Sequence, residues 1–180
     1  MILRYTSRTM IKLPSRITLI GMSGVGKTSI GQLLAQKTNY TFIDTDKLIQ
    51  RSINKPLHIY INQHSESEFL ALEESIILSS HPLPDQLILS TGGSVIYSIK
   101  IMTFLSQHST IIYLKDSLNN IQKRIKSFKT RGLIKNNKKT LKDLFIERET
   151  LYNNYASITI PIGPIFNVEN QVEKIISSLS

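Results

Sequence analysis

Twelve consecutive residues constrain this chain more than any other feature. Ile17-Thr18-Leu19-Ile20 is a short, β-branched apolar run, and Gly21-Met22-Ser23-Gly24-Val25-Gly26-Lys27-Thr28 follows it directly. The second run fills every fixed position of GxxxxGK[ST], and it stands between a strand signal and a helical stretch, the context that pattern requires. Glycines let such a loop curl so that its N–H groups face inward, and the helix that follows adds partial positive charge at its N-terminus. The pattern therefore implies a site for a nucleoside triphosphate. Gly24, Val25, Gly26, Lys27, Thr28 and Ser29 are the expected contacts, with Lys27 reaching the β- and γ-phosphates and the Thr28 hydroxyl ligating Mg²⁺.

The rest of the chain alternates strand and helix signals. Strands are expected at 17–20, 40–43, 87–89, 110–114 and 158–160. Helices are expected to about Lys37, over 45–53, 66–80, 117–128, 140–156 and 169–179, with Pro56 ending the second. Several of the strands are apolar along their whole length, which suits a parallel sheet covered on both faces. The expected fold is α/β: three α-β-α layers around a central parallel sheet of about five strands. Ligands of such sheets sit beyond the carboxyl ends of the strands.

Composition narrows the chemistry. With no cysteine in 180 residues, disulfide scaffolds, thiolate metal sites and thiol catalysis are excluded. His58, His64, His81 and His108 show no metal-ligand spacing. No apolar run approaches the roughly 18 residues of a membrane helix. The net charge of +9 is uneven: residues 115–142 hold ten basic groups and one acid, whereas 17–114 hold six basic groups and seven acids. That basic segment reads as a phosphate clamp, a nucleic-acid surface or a solvated lysine-rich face. Few aromatics (7%) and no stacking motif near it argue against nucleic acid. Residues 1–16 carry four basic groups and no acid and are expected to be a flexible extension, leaving 17–180 as a single domain.

The remaining candidates lie just after the strand signals. In Asp44-Thr45-Asp46 the two carboxylates can serve a metal and a substrate hydroxyl, or one can simply cap a helix. Thr91-Gly92-Gly93-Ser94 either brings backbone amides to a ligand or makes a plain turn. Residues 129–139 are too polar for a core and read as a mobile lid, in which Arg131 would meet the γ-phosphate. Arg148 is either a ligand contact or a helix-surface ion pair.

Together GMSGVGKTS, FIDTD, STGGSV, TRGLI and RETLYNNYA resemble, in order and spacing, the motifs of the shikimate kinases. The resemblance covers about residues 17–176. It implies the P-loop kinase type of fold with a lid, and transfer of the ATP γ-phosphoryl group to the 3-hydroxyl of shikimate on the route to chorismate and the aromatic amino acids. By that resemblance Lys27 and Thr28 serve ATP and Mg²⁺, and Asp44 holds the metal through water. Asp46 binds the acceptor hydroxyls and helps deprotonate one. Gly92 and Gly93 offer amides to the acceptor, and Arg148 pairs with its carboxylate. Arg131 is the lid arginine and Arg124 lies over adenine. A cytoplasmic monomer without nucleic-acid or membrane partners is expected.

Three departures stand out. The family reads E-F-R-x-x-E where this chain has Glu68-Phe69-Leu70-Ala71-Leu72-Glu73, so Leu70 replaces a carboxylate-binding arginine. Arg148 alone, a substitute such as Lys47 or Arg51, or a different acceptor such as gluconate would answer that loss, as would a protein that binds nucleotide without catalysis. Thr91 takes the place of the first of three glycines, and Pro161 to Asn167 lacks an arginine that some members place near adenine.

Overall fold

The computed structural model describes residues 13–124 and 140–179. Five strands, β1 (Arg16–Ile20), β2 (Thr41–Asp44), β3 (Leu87–Ser90), β4 (Thr110–Lys115) and β5 (Ile158–Pro161), form one sheet in the order β2-β3-β1-β4-β5. Every neighbouring pair is parallel. The helices are α1 (Lys27–Thr38), α2 (Thr45–Ile53), α3 (Leu57–Gln63), α4 (Glu66–Ser79), α5 (Ile99–His108), α6 (Leu118–Arg124), α7 (Leu141–Tyr155) and α8 (Val168–Ser178). Among the described residues no helix is long and apolar enough to cross a membrane.

Successive side chains of a strand point to opposite faces, so a strand covered on both sides is apolar along nearly its whole length. On one face Ile17 and Leu19 of β1, Ile88 of β3, and Ile112 and Leu114 of β4 pack with Ile30 and Leu34 of α1 and Val172 and Ile175 of α8. On the other, Ile20, Leu89, Ile111 and Tyr113 pack with Ile77 of α4, Ile101, Met102 and Leu105 of α5, and Tyr152 of α7. A third, smaller cluster joins α2, α3 and α4: Ile49 and Phe69 are buried, with Leu57, Tyr60, Ile61 and Leu70 against them.

All five expected strands are present, with bounds shifted by a residue or two. The described residues begin earlier than residue 17, and those just before it already join the sheet. Ser15 accepts a hydrogen bond from the Leu87 amide, Tyr40 donates to the carbonyl of Pro14, and Arg16 opens β1. Arg16 pairs with Asp85 at 2.7 Å and donates to the carbonyls of Leu83 and Pro84. A charged residue at a strand start is invisible to a search for apolar runs.

Two helices lie where none was expected. Pro56, read as a breaker, stands at the N-cap of α3 (φ −58°), a backbone angle suited to a helix start. Ser98 caps α5 by accepting from the amide of Ile101 at 3.1 Å. The expected lid, 129–139, lies outside the described residues, as does its Arg131.

Candidate active site

The phosphate loop runs from the end of β1 into α1. Gly26 has φ +110°, and a Cβ there would sit 2.5 Å from the Phe166 ring, so only glycine suits both the backbone and the space. The Lys27 ammonium is nearly buried and donates to the carbonyls of Gly21 (2.7 Å) and Met22 (3.1 Å). At the far wall Arg124 forms an ion pair with Asp116 and donates to the Val25 carbonyl at 3.3 Å. Its guanidinium lies 5.1 Å over the centre of the Phe166 ring.

Asp44 ends β2, and its two carboxyl oxygens have different partners. One oxygen accepts from the Lys47 amide at 3.3 Å, the N-cap of α2. The other accepts from the Thr28 hydroxyl at 2.8 Å, tying the phosphate loop to the second strand end. A hydroxyl and a carboxylate side by side are hard oxygen donors of the kind Mg²⁺ prefers, so the residues present fit that ion.

Asp46 follows in the first turn of α2 and lines the same cavity. Its pKa is raised to about 6, chiefly by burial and then by the charge of Asp44, while Lys27 acts the other way. Across from it stands Glu73 of α4, fully buried. One Glu73 oxygen accepts from the Ser94 hydroxyl at 3.1 Å, and the other has no hydrogen-bond partner among the described residues. Burial, and then the Asp46 charge, push the Glu73 pKa up to about 8, with Ser94 and Arg148 opposing. The neutral acid is therefore the favoured form at pH 7.

The glycine turn after β3 separates these groups, and its two glycines differ in role. The Gly92 amide, expected to face the acceptor, donates instead to the buried Thr45 hydroxyl at 3.0 Å. What Gly92 provides is space: a Cβ there would meet Asp46 Oδ1 at 2.8 Å and Glu73 Oε1 at 2.9 Å. Thr91 and Gly93 line the cavity. The hydroxyl of Thr91, in the place of the missing glycine, donates to the Leu19 carbonyl at 3.1 Å and so stitches β3 to β1.

Arg148 projects from α7, whose start is fixed by a reciprocal cap between Thr140 and Asp143. It is 1% exposed, which excludes the surface ion pair. Its Nε donates to the Tyr97 hydroxyl at 3.3 Å, and its Nη1 lies 3.1 Å from where a Cβ on Gly93 would stand. Nη2 has no partner among the described residues. Tyr152, one turn further on α7, donates to the Gly93 carbonyl at 2.8 Å and locks the helix to the turn.

The cavity has a volume of about 480 Å³. Its walls include Gly24, Gly26, Lys27, Thr28 and Ser29 of the loop, Asp44 and Asp46, Gly93 and Arg124. Arg148 stands behind Gly93 rather than in the wall, and Val25 is buried. Reading the sequence missed Gln50, Leu57, His58 and Phe166, which also line it. Glu73 carried a legible signal: it falls at i+4 between Phe69 and Ile77 on the buried stripe of α4, where an acid is out of place. Lys47 and Arg51, considered as substitutes for the arginine at position 70, are exposed and are absent from the cavity wall.

A phosphate loop at the carboxyl edge of a five-stranded parallel sheet, opening into a cavity with two strand-end aspartates, defines a P-loop small-molecule kinase. A family model described as shikimate kinase matches residues 23–180. The chain belongs to the shikimate kinase family, enzymes that use ATP as phosphoryl donor. A shikimate kinase of Rippkaea orientalis is 33% identical over 165 residues, 91% of this chain and 87% of that protein. One of Nitrosomonas europaea is 34% identical over 153 residues, 84% and 72% of the two. A solved structure of shikimate kinase from Acinetobacter baumannii in complex with shikimate matches with a TM-score of 0.83 at 28% identity, covering 93% of each chain. A gluconokinase from Sinorhizobium meliloti, at 14% identity and a TM-score of 0.58, shares the fold.

Proposed function

We propose that the chain transfers the γ-phosphoryl group of ATP to the 3-hydroxyl of shikimate, using one cavity for donor and acceptor. The observation that carries this reading is the placement of Lys27, Thr28, Asp44, Asp46 and Gly93 around that cavity, in a chain of this family. In the transfer, the acceptor oxygen forms a bond to the γ-phosphorus as the bond to the bridging oxygen breaks, and ADP leaves. The acceptor proton passes to Asp46, the half-buried carboxylate beside the phosphate loop. Such transfers depend on positioning and charge neutralisation rather than covalent catalysis. Lys27 neutralises phosphate charge after exchanging its two carbonyl partners for phosphate oxygens. Thr28 and Asp44 are the residues that would hold Mg²⁺, which when bound offsets charge on the phosphates. Arg124 and Phe166 face the base end of the cavity. Gly93 lines the acceptor end, and the unpartnered nitrogen of Arg148 behind it is the anchor for the acceptor carboxylate. Gly92 supports the acceptor site by leaving room for Asp46.

In the same reading residues 129–139 are the lid that brings Arg131 to the phosphates, and 17–180, with the residues 13–16 that lead into and open β1, form a single kinase domain. The same reading takes the chain as a monomer acting on small molecules in the cytoplasm, without nucleic-acid or membrane partners.

ADP release with Mg²⁺-ATP, measured with and without shikimate, tests the reading. Strong dependence on shikimate, with stoichiometric phosphorylation of the 3-hydroxyl, is the expected result. Dependence on gluconate or another sugar acid in its place would assign a different acceptor, and nucleotide binding with no acceptor-dependent ADP release would remove the catalytic reading.

A further inference from the structure

Position 70 cannot hold a carboxylate as leucine, and the structure shows where the Leu70 side chain goes. It is half-buried in the small cluster beneath α3, with Ile49, Leu57, Tyr60 and Ile61. Helix α3 therefore has an apolar underside. Its other side faces the cavity, and there the chain carries His58.

Three observations single out this imidazole. First, the residues of α2 and α3 that line the cavity are Asp46, Gln50, Leu57 and His58, and of these only a histidine can carry positive charge. Second, the amide of Gln50 is already committed. Its Nε2 donates to the Asp46 carbonyl at 3.2 Å and its Oε1 accepts from the Leu57 amide at 3.4 Å. That bridge holds the start of α3 against the first turn of α2, and so fixes His58 relative to Asp46. Third, His58 has no hydrogen-bond or ion-pair partner among the described residues, in contrast to His64 and His108, whose rings contact the carbonyls of Tyr60 and Phe104. An anionic acceptor entering beside Asp44 and Asp46 meets two like charges, and it needs a donor on the wall that Asp46 shares.

We propose that His58 is a binding residue for the acceptor, its ring N–H donating to the carboxylate of a polyhydroxylated acid and supplying part of what an arginine at position 70 supplies in the family. This rests on the kinase reading above. A contact made equally in the ground and transition states raises KM when removed and leaves kcat unchanged. One charge-assisted hydrogen bond corresponds to about ten- to hundredfold in affinity.

The test is steady-state kinetics of His58→Ala and His58→Arg beside the wild type. In His58→Ala the KM for shikimate should rise at least about tenfold, with kcat and the KM for ATP kept. His58→Arg should keep the wild-type KM for shikimate. Methyl shikimate, which lacks the negative carboxylate, should bind wild type and His58→Ala alike. A wild type without shikimate-dependent ADP release sinks the kinase reading and this assignment with it. An active wild type whose KM for shikimate is unchanged in His58→Ala overturns only the assignment. Equal losses for shikimate and its methyl ester in His58→Ala overturn it as well, because the contact would then be to a hydroxyl or to the fold. An ATP KM that moves together with the shikimate KM points to a disturbed cavity and overturns it too.

Discussion

Asp46 and Glu73 converge on the same small space beneath Gly92. A Cβ at that glycine would lie 2.8 Å from one carboxyl oxygen and 2.9 Å from the other. Neither side chain can retreat freely, since Asp46 is fixed in the first turn of α2 and Glu73 is fully buried with one oxygen on Ser94. Gly92→Ala should therefore displace Asp46 even though its backbone is permissive. We expect kcat/KM for shikimate to fall on the order of a hundredfold, the scale of about 1 Å of misplacement at a reacting centre. The dissociation constant for ATP, measured alone, should stay within a few-fold of wild type. A Gly92→Ala enzyme of normal activity would show that the two carboxyl groups can spread without consequence.

Glu73 also makes stability depend on pH in a direction opposite to the usual carboxylate. Its folded pKa is about 8, above the ordinary 4.5, so between those values the folded chain holds a proton that the unfolded chain has released. Stability contributed by this proton is present below about pH 4.5 and is lost as pH rises towards 8. Asp46, raised to about 6, acts with the same sign over a lower and narrower window. Glu73→Gln removes the larger effect. Relative to wild type its unfolding free energy should gain about 2 kcal/mol between pH 6 and pH 8, read from urea melts at several pH values. A constant difference across that range would show that Glu73 is ionised in the fold.

Catalysis should respond to pH through Asp46 rather than Glu73. Asp46 must be ionised to take a proton, and its pKa of about 6 places the acid limb of kcat/KM near that pH. At that limb Glu73 is already neutral, so Glu73→Gln should leave the limb where it is while altering the stability profile. Asp46→Asn should remove the limb and lower kcat by about a hundred- to ten-thousandfold. An Asp46→Asn enzyme that retained the limb would place the titrating base elsewhere.

How much of this was readable in advance follows from how local each signal is. The central strands β1, β3 and β4 were legible because strands covered on both faces are apolar nearly throughout, as Ile111 to Leu114 show. The phosphate loop and the strand-end aspartates were legible because their spacing is fixed by a single turn. Helix α3 was hidden by Pro56, which reads as a breaker but stands at the N-cap of that helix, α2 having already ended at the left-handed Asn54. The engagement of the Gly92 amide by Thr45 was hidden for a different reason: it arises where β2 and β3 lie side by side, 47 residues apart in sequence. The same holds for Arg148, whose burial under Gly93 depends on how α7 meets the glycine turn. Leu70 was noticed as a loss, but its packing beneath α3 and the His58 on the other side of that helix appear only once α2, α3 and α4 are assembled.

Leu70→Arg should restore a second cationic contact at the acceptor end. The position is half-buried, so a long side chain can lay its stem along Ile49, Leu57 and Ile61 and carry its head beyond that cluster. Glu73 lies three residues on in α4 with an oxygen that has no hydrogen-bond partner among the described residues, and i,i+3 neighbours on a helix can pair. A guanidinium there favours the ionised form of Glu73, so the stability difference between pH 6 and pH 8 should shrink. The exchange costs packing, and the variant should be about 1–2 kcal/mol less stable than wild type at pH 6, where the gain at Glu73 is smallest. Against that cost, the KM for shikimate should fall about tenfold with kcat and the KM for ATP kept, since a bidentate arginine–carboxylate contact is among the stronger available. A KM for shikimate that stays level or rises would mean that residue 70 no longer addresses the acceptor site, and that this chain has settled its carboxylate wholly on other groups.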